Sequence, residues 1–224
     1  AFCIITIKIY VKGEFAVWIF DRGQPGNNPY TQEPYQQITQ LSYMTRPMPW
    51  RPYPHFHEDE FEITMLESGN FTLELPGHTI DLGAGSAVLV PPRIAHAYVH
   101  RSGVLHSHAI RFRDQPQRCG RWRRLTAGDA CYLENCAQSS SAWELAGLIQ
   151  HVAAENGGII DARVQTLAQG IMELMAKEFQ THRTAVPADT PEYANDILIY
   201  LQTHIHEKVT MEDLSRIFHL SASH

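Results

Sequence analysis

His55 and His57, with Glu62 a few residues on and His96 much further along, constrain this chain more than any other feature. Strand side chains alternate, so His55 and His57 share one face. Glu62 has the opposite parity. It must come from a second strand, entered through a turn at Glu58-Asp59-Glu60. His96 arrives after Pro91-Pro92. Three imidazoles and a carboxylate meet only if the strands close on themselves and point these side chains inward. Such a nitrogen and oxygen set suits a borderline divalent cation (Zn, Ni, Mn or Fe) and leaves room for a ligand. A metal-free polar pocket is the alternative.

The first half of the chain supports such closure. Short strands are predicted over 2–10, 15–20, 37–45, 61–67, 71–75, 78–82, 86–90 and 106–113. Ser68-Gly69-Asn70 and Pro76-Gly77 are turn signals between them, and Gln24 to Pro34 reads as an exposed loop. Many short strands with frequent turns predict a sandwich or barrel.

After about residue 139 the period changes to helical. Ser141 caps a helix carrying Trp143, Ala146, Ile149 and Val152, which Gly157-Gly158 ends. Ile160, Val164, Leu167, Ile171, Met175 and Phe179 then form an apolar stripe along a helix over 159–182. That stripe suits packing on the barrel and pairing with a second copy equally well. A linker with Pro187 and Pro191 follows. Thr190 caps a helix with an apolar face of Ala194, Ile197, Leu198, Leu201 and Ile205. Thr210 with Asp213 forms an acidic capping box for the next helix.

Composition removes several classes. The 224 residues are 44% apolar and 19% charged, which is enough for an ordinary core. A formal charge of −6 argues against a protein that binds nucleic acid by overall electrostatics. No apolar run has the length of a membrane span. Cys3, Cys119, Cys131 and Cys136 match no zinc-ribbon spacing and read as free thiols of a cytoplasmic protein.

The histidine pattern resembles the cupin superfamily. His55, His57, Glu62 and Gly69 stand at the spacing of its first motif, with Pro49 in place of the usual leading glycine. Gly85, Pro91 and His96 stand at the spacing of its second, with Arg93 in place of a glycine and His100 in place of a later asparagine. The resemblance implies a jelly-roll barrel with His55, His57, Glu62 and His96 as metal ligands. Arg93 and Arg46 are the cations placed to grip an anionic ligand, and Trp50 and Tyr98 are the aromatic ligand-binding candidates. His106 and His108 share a face and are candidates for the barrel mouth. The arginines from Arg111 to Arg124 read as an exposed connector.

The tail resembles the start of the DNA-binding domain of AraC-type transcription regulators. Val209-Thr210-Met211, Glu212-Asp213, Leu214-Ser215, Phe218 and Leu220-Ser221 carry that likeness, with Ser215 where alanine is usual. It implies a cupin sensor barrel over 1–138, a helical connector or dimerisation segment over 139–184, and a partial helix-turn-helix over 190–224. The expected protein is a cytoplasmic regulator with no catalytic residues, a homodimer through the 159–182 helix. It would take a small polar effector in the barrel and reach DNA only through a recognition helix beyond His224. A metal-dependent cupin oxygenase or isomerase is the rival, since the same four ligands serve both.

Overall fold

The computed structural model describes residues 9–10, 15–21, 36–46, 49–114, 120–127, 129–134, 141–155, 157–158, 160–186 and 192–221. In chain order the strands of the first half are β1 (Ile9–Tyr10), β2 (Phe15–Asp21), β3 (Gln36–Arg46), β4 (Phe61–Ser68), β5 (Asn70–Leu75) and β6 (His78–Gly83). They continue as β7 (Ala87–Val90), β8 (Ala97–Val99) and β9 (Leu105–Asp114). Then come α1 (Arg121–Thr126), β10 (Cys131–Leu133), α2 (Ser141–Glu155) and α3 (Ala162–His182). β11 (Thr184–Ala185), α4 (Glu192–Thr203) and α5 (Met211–Phe218) complete the described elements. The expected loop from Gln24 to Pro34, most of the expected 2–10 strand, and Thr190 with Pro191 lie outside the described residues.

Two antiparallel sheets form the β part. The larger runs β1-β2-β3-β9-β4-β7-β10-β11 and the smaller β6-β5-β8. This is the expected arrangement: mostly β, with helices following. The larger sheet is a wall between two cores. On β4, Phe61, Ile63 and Met65 face one way and Leu66 the other; on β7, Ala87 and Leu89 oppose Val88 and Val90. The first set packs under α2 and α3, and the second packs against the small sheet. Because both faces are covered, β7 is buried along its whole length and reads as an unbroken apolar run.

The stripe on α3 is buried inside the chain. Val164, Ile171, Met175 and Phe179 are 0–1% exposed and join the helix-side core. The side chains α3 turns to solvent include Arg163, Thr166, Glu173 and Lys177, which are polar. Packing on the barrel therefore accounts for these four residues, while Ile160 and Leu167, the rest of the stripe, are half-buried beside the same core. The Arg-rich stretch is no plain connector either. Arg111 and Arg113 belong to β9, and α1 buries Trp122 completely while Arg121 reaches Glu173 at 2.7 Å.

Gly69 is obligatory at the β4–β5 turn. Its φ is +84°, and a Cβ there would run into the carbonyl oxygen of Val104. The motif glycine thus serves the hairpin that follows Glu62.

Candidate metal centre

The sequence brings the first two histidines to the site on an extended segment, not on a regular strand. His55 forms an isolated antiparallel bridge with His96, its N–H donating to the His96 carbonyl at 2.9 Å and the reverse bond measuring 2.8 Å. This bridge fixes the two rings with centroids 4.4 Å apart. His57 lies edge-on to both, 5.3 Å from His55 and 5.5 Å from His96. Glu62, second residue of β4, points into the sandwich from the opposite parity, as its spacing requires. One ligand atom from each of the four residues lies within 4.8 Å of all the others.

The local hydrogen bonds orient two of the three rings. His96 Nδ1 donates to the Ile94 carbonyl at 2.9 Å, so its Nε2 lone pair faces the cluster. That Nε2 is buried and has no hydrogen-bond partner among the described residues. It lies 3.8 Å from Glu62 Oε1, too far for a hydrogen bond. His57 Nε2 donates to Glu62 Oε2 at 3.0 Å, and the Thr64 hydroxyl donates to Oε1 at 3.0 Å.

Burial pushes the Glu62 carboxyl up, but the hydrogen bond from His57 and the nearby His96 outweigh it and hold the group well below the usual carboxylate range. Burial, followed by the adjacent His96, lowers His55 to about 4, so its ring is neutral at pH 7. Burial raises the Tyr98 phenol well above its ordinary value, helped by the Glu62 charge.

The ionised Glu62 and the neutral His55 are in the state that binding a divalent cation needs. Bonds of ~2.1 Å put neighbouring ligand atoms about 3.0–3.4 Å apart and opposite ones about 4.2 Å apart. Shifts of under about an ångström would close this shell. The donor set and the orphaned His96 Nε2 therefore fit a metal, with borderline cations favoured over Mg or Ca by three nitrogens.

A cavity of about 200 Å³ opens beside the cluster. Trp50 and Tyr98, the aromatic candidates, line it. Trp50 is held by a backbone bridge to His100, and Tyr98 packs edge-on against His96 and Phe71. Arg93 does not line it. Its side chain is more than half exposed and pairs with Glu58 at 2.8 Å. The side chain of Arg46 lies outside the described residues; its backbone pairs with Leu105. Among the described side chains, the cation in the cavity wall is Arg111.

His106 and His108 are not at the mouth. They have the parity of Ile110 and Phe112, and so lie on the helix-covered face, His106 against Tyr43 at 2.8 Å and His108 against Glu67 at 3.3 Å. His100 is structural, its ring set between the carbonyls of Asn70 and Gly103. Cys131 is the free cysteine among the described residues, and burial pushes its thiol up to about 12.

Residues 46–107 match the cupin domain family, the span that contains all four candidate ligands. The chain thus carries a cupin domain within a mostly β architecture, followed by helices. It is similar to KdgF from a Halomonas species, at 19% identity over 37% of this chain and 80% of that one, with a TM-score of 0.32. It is also similar to a predicted oxalate decarboxylase from Thermotoga maritima, at 19% identity over 34% and 68% of the two chains, TM-score 0.32. The AraC-like transcriptional activator CuxR gives 14% identity over 82% and 67% of the two chains, TM-score 0.43. No curated protein matches the sequence. Among the described residues, no helix is long and apolar enough to cross a membrane.

Proposed function

We propose that this chain is the sensing part of an AraC-type transcription regulator, in which the state of the cupin site is passed to the C-terminal helices. The observation that carries this reading is Asn195. From α4 its Oδ1 accepts from the Ala95 N–H at 2.9 Å, and its Nδ2 donates to the Arg93 carbonyl at 2.7 Å. The segment it clamps ends at His96, and the Arg93 N–H donates to the His57 carbonyl at 2.7 Å. One carboxamide therefore joins the tail to a loop tied to two of the four candidate ligands.

The tail itself has the features that the family likeness implies. Thr210 and Asp213 form a reciprocal capping box, and His219 ends α5 in a left-handed conformation. Tyr200 of α4 packs edge-on against Phe218 of α5. Leu201, Ile205, Met211 and Ile217 are exposed, as expected of a helical unit that packs against further helices.

In this reading His55, His57, Glu62 and His96 hold a divalent cation that supplies a Lewis-acidic anchor for a small effector. Effector binding shifts loop 91–96, and Asn195 transfers the shift to α4. Ligand can bias the tail only through a difference in affinity between its two placements. The barrel, connector and helix-turn-helix organisation belongs to the same proposal, and so does a homodimer, formed through a surface other than the buried α3 stripe.

The test is transcript profiling of the source cell lacking the gene and complemented with either wild type or Asn195→Ala. A regulator changes a confined set of transcripts, and the variant uncouples that set from effector without loss of the protein. Unchanged transcripts in the deletion, together with turnover of a small substrate by the purified metal-loaded protein, would favour the oxygenase or isomerase reading.

A further inference from the structure

We infer that the ligand of this cavity is a small organic acid and that Arg111 grips its carboxylate. The inference rests on the sensor reading for its biological meaning, but its physical basis is separate. Arg111 is directly opposite Gln40 on β3 and directly opposite Glu62 on β4. The three side chains make a polar row across adjacent strands on the cavity face. Cross-strand neighbours on one face have Cβ atoms about 4.5–5.5 Å apart. A ligand held at Arg111 is therefore within a few bonds' length of the metal ligands.

The guanidinium is poorly compensated where it stands. It has five N–H donors in a planar fork. Its contacts are His57 Nδ1 at 3.4 Å and Glu60 Oε2 at 3.8 Å, both through Nη1. Glu60 is engaged more closely by Arg113, at 3.2 Å through its other oxygen. The Arg111 side chain is nevertheless only 26% exposed. Glu62 opposite is engaged by His57 and Thr64. Among the described residues the fork therefore has no carboxylate within hydrogen-bond distance, and an acid that meets it edge-on would supply one. A divalent cation on the neighbouring ligands would strengthen the field in the same direction.

Size and lining narrow the class. A cavity of about 150 Å³ takes a benzene-sized ligand, so about 200 Å³ suits a small acid. Met44, Phe71, Leu105 and Ala109 give the walls an apolar character. They favour an organic acid over inorganic phosphate, which is strongly hydrated and offers no apolar surface. Gln40, Ser42 and Ser107 remain to bond hydroxyl or keto oxygens.

The experiment is calorimetric titration of the full chain, zinc-loaded and zinc-free, with lactate, pyruvate and succinate. The amides of the same acids and inorganic phosphate are run in parallel. The expected result is that at least one acid binds about tenfold or more tighter than its amide. Arg111→Gln should erase that preference with zinc content unchanged, and Arg111→Lys should keep part of it. Equal binding of acids and amides by the wild type overturns the inference. So does phosphate outbinding every acid, no acid binding at millimolar concentration, or an acid preference that survives Arg111→Gln. The wild-type comparison decides alone if the variant fails to fold. None of these outcomes touches the sensor reading, which stands or falls on the transcript profile and on the coupling through Asn195.

Discussion

Replacing Asn195 by alanine removes both bonds between α4 and the loop that ends at His96. Ala95 is 1% exposed, so its N–H is orphaned in a dry place, a loss of about 1–3 kcal/mol. The Arg93 carbonyl lies nearer solvent, and losing its partner costs about 0.5–1 kcal/mol. Together, docking of α4 weakens by about 2–3 kcal/mol, or roughly 30- to 150-fold in its equilibrium constant. The assay is amide hydrogen exchange followed residue by residue. The Ala95 amide should exchange faster by about that factor, while the His96 amide, bonded to the His55 carbonyl, should keep its protection. In the wild type, zinc should slow Ala95 exchange, and in the variant zinc should leave more quickly. Unchanged Ala95 exchange in Asn195→Ala would refute the clamp. Faster Ala95 exchange with no effect of zinc on it, and none of the substitution on zinc release, would refute the coupling.

Elemental analysis of protein purified without an affinity tag should find about one divalent cation per chain. His57→Ala should lower its affinity by more than about a hundredfold, since loss of an outer partner alone costs up to that much. Phe179→Ala should cost about 3–5 kcal/mol and lower the melting temperature by about 10 °C, with no change of mass in light scattering, because Phe179 is buried within its own chain. Arg93→Gly should be neutral or stabilising by up to about 1 kcal/mol in chemical denaturation: relief of its φ of 62° offsets a more flexible unfolded chain and an exposed ion pair. Asp213 is held below its ordinary value by the Thr210 hydroxyl first and the Thr210 N–H second. A depressed value stabilises above the unfolded value and is lost as pH falls through the folded one. The first turn of α5 should therefore fray below about pH 4 in exchange measurements, and Asp213→Asn should be insensitive there.

The parity of His55, His57 and Glu62 was legible because alternation along extended backbone is strict, and the four residues do converge. Arg111 was not legible. After Leu105 its face of β9 reads Ser107, Ala109, Arg111, small and polar like a solvent face, because it lines a cavity. The same parity argument, run from Ile110 and Phe112, would have put His106 and His108 under the helices. Ile38 was hidden by a register shift between Ile38 and Gln40, which lets both Ile38 and Leu41 reach the helix side. β10 and β11 are too short for periodicity to show, and they exist through pairing with β7 and with each other. Asn195 gives no sequence signal, since its partners are backbone groups about a hundred residues away.

The two-sided wall has a consequence for how such a protein changes over generations. Along β3 and β9, Gln40, Ser42, Ser107 and Ala109 face the cavity, while Leu41, Ile110 and Phe112 hold the helices. Selection for a new effector acts on the first group and selection for a folded molecule on the second. The two groups alternate along the same strands without sharing a face. A lineage, or a designer's library, can therefore rewrite what the cavity recognises one alternate position at a time. The surface on which α2 and α3 rest stays the same throughout.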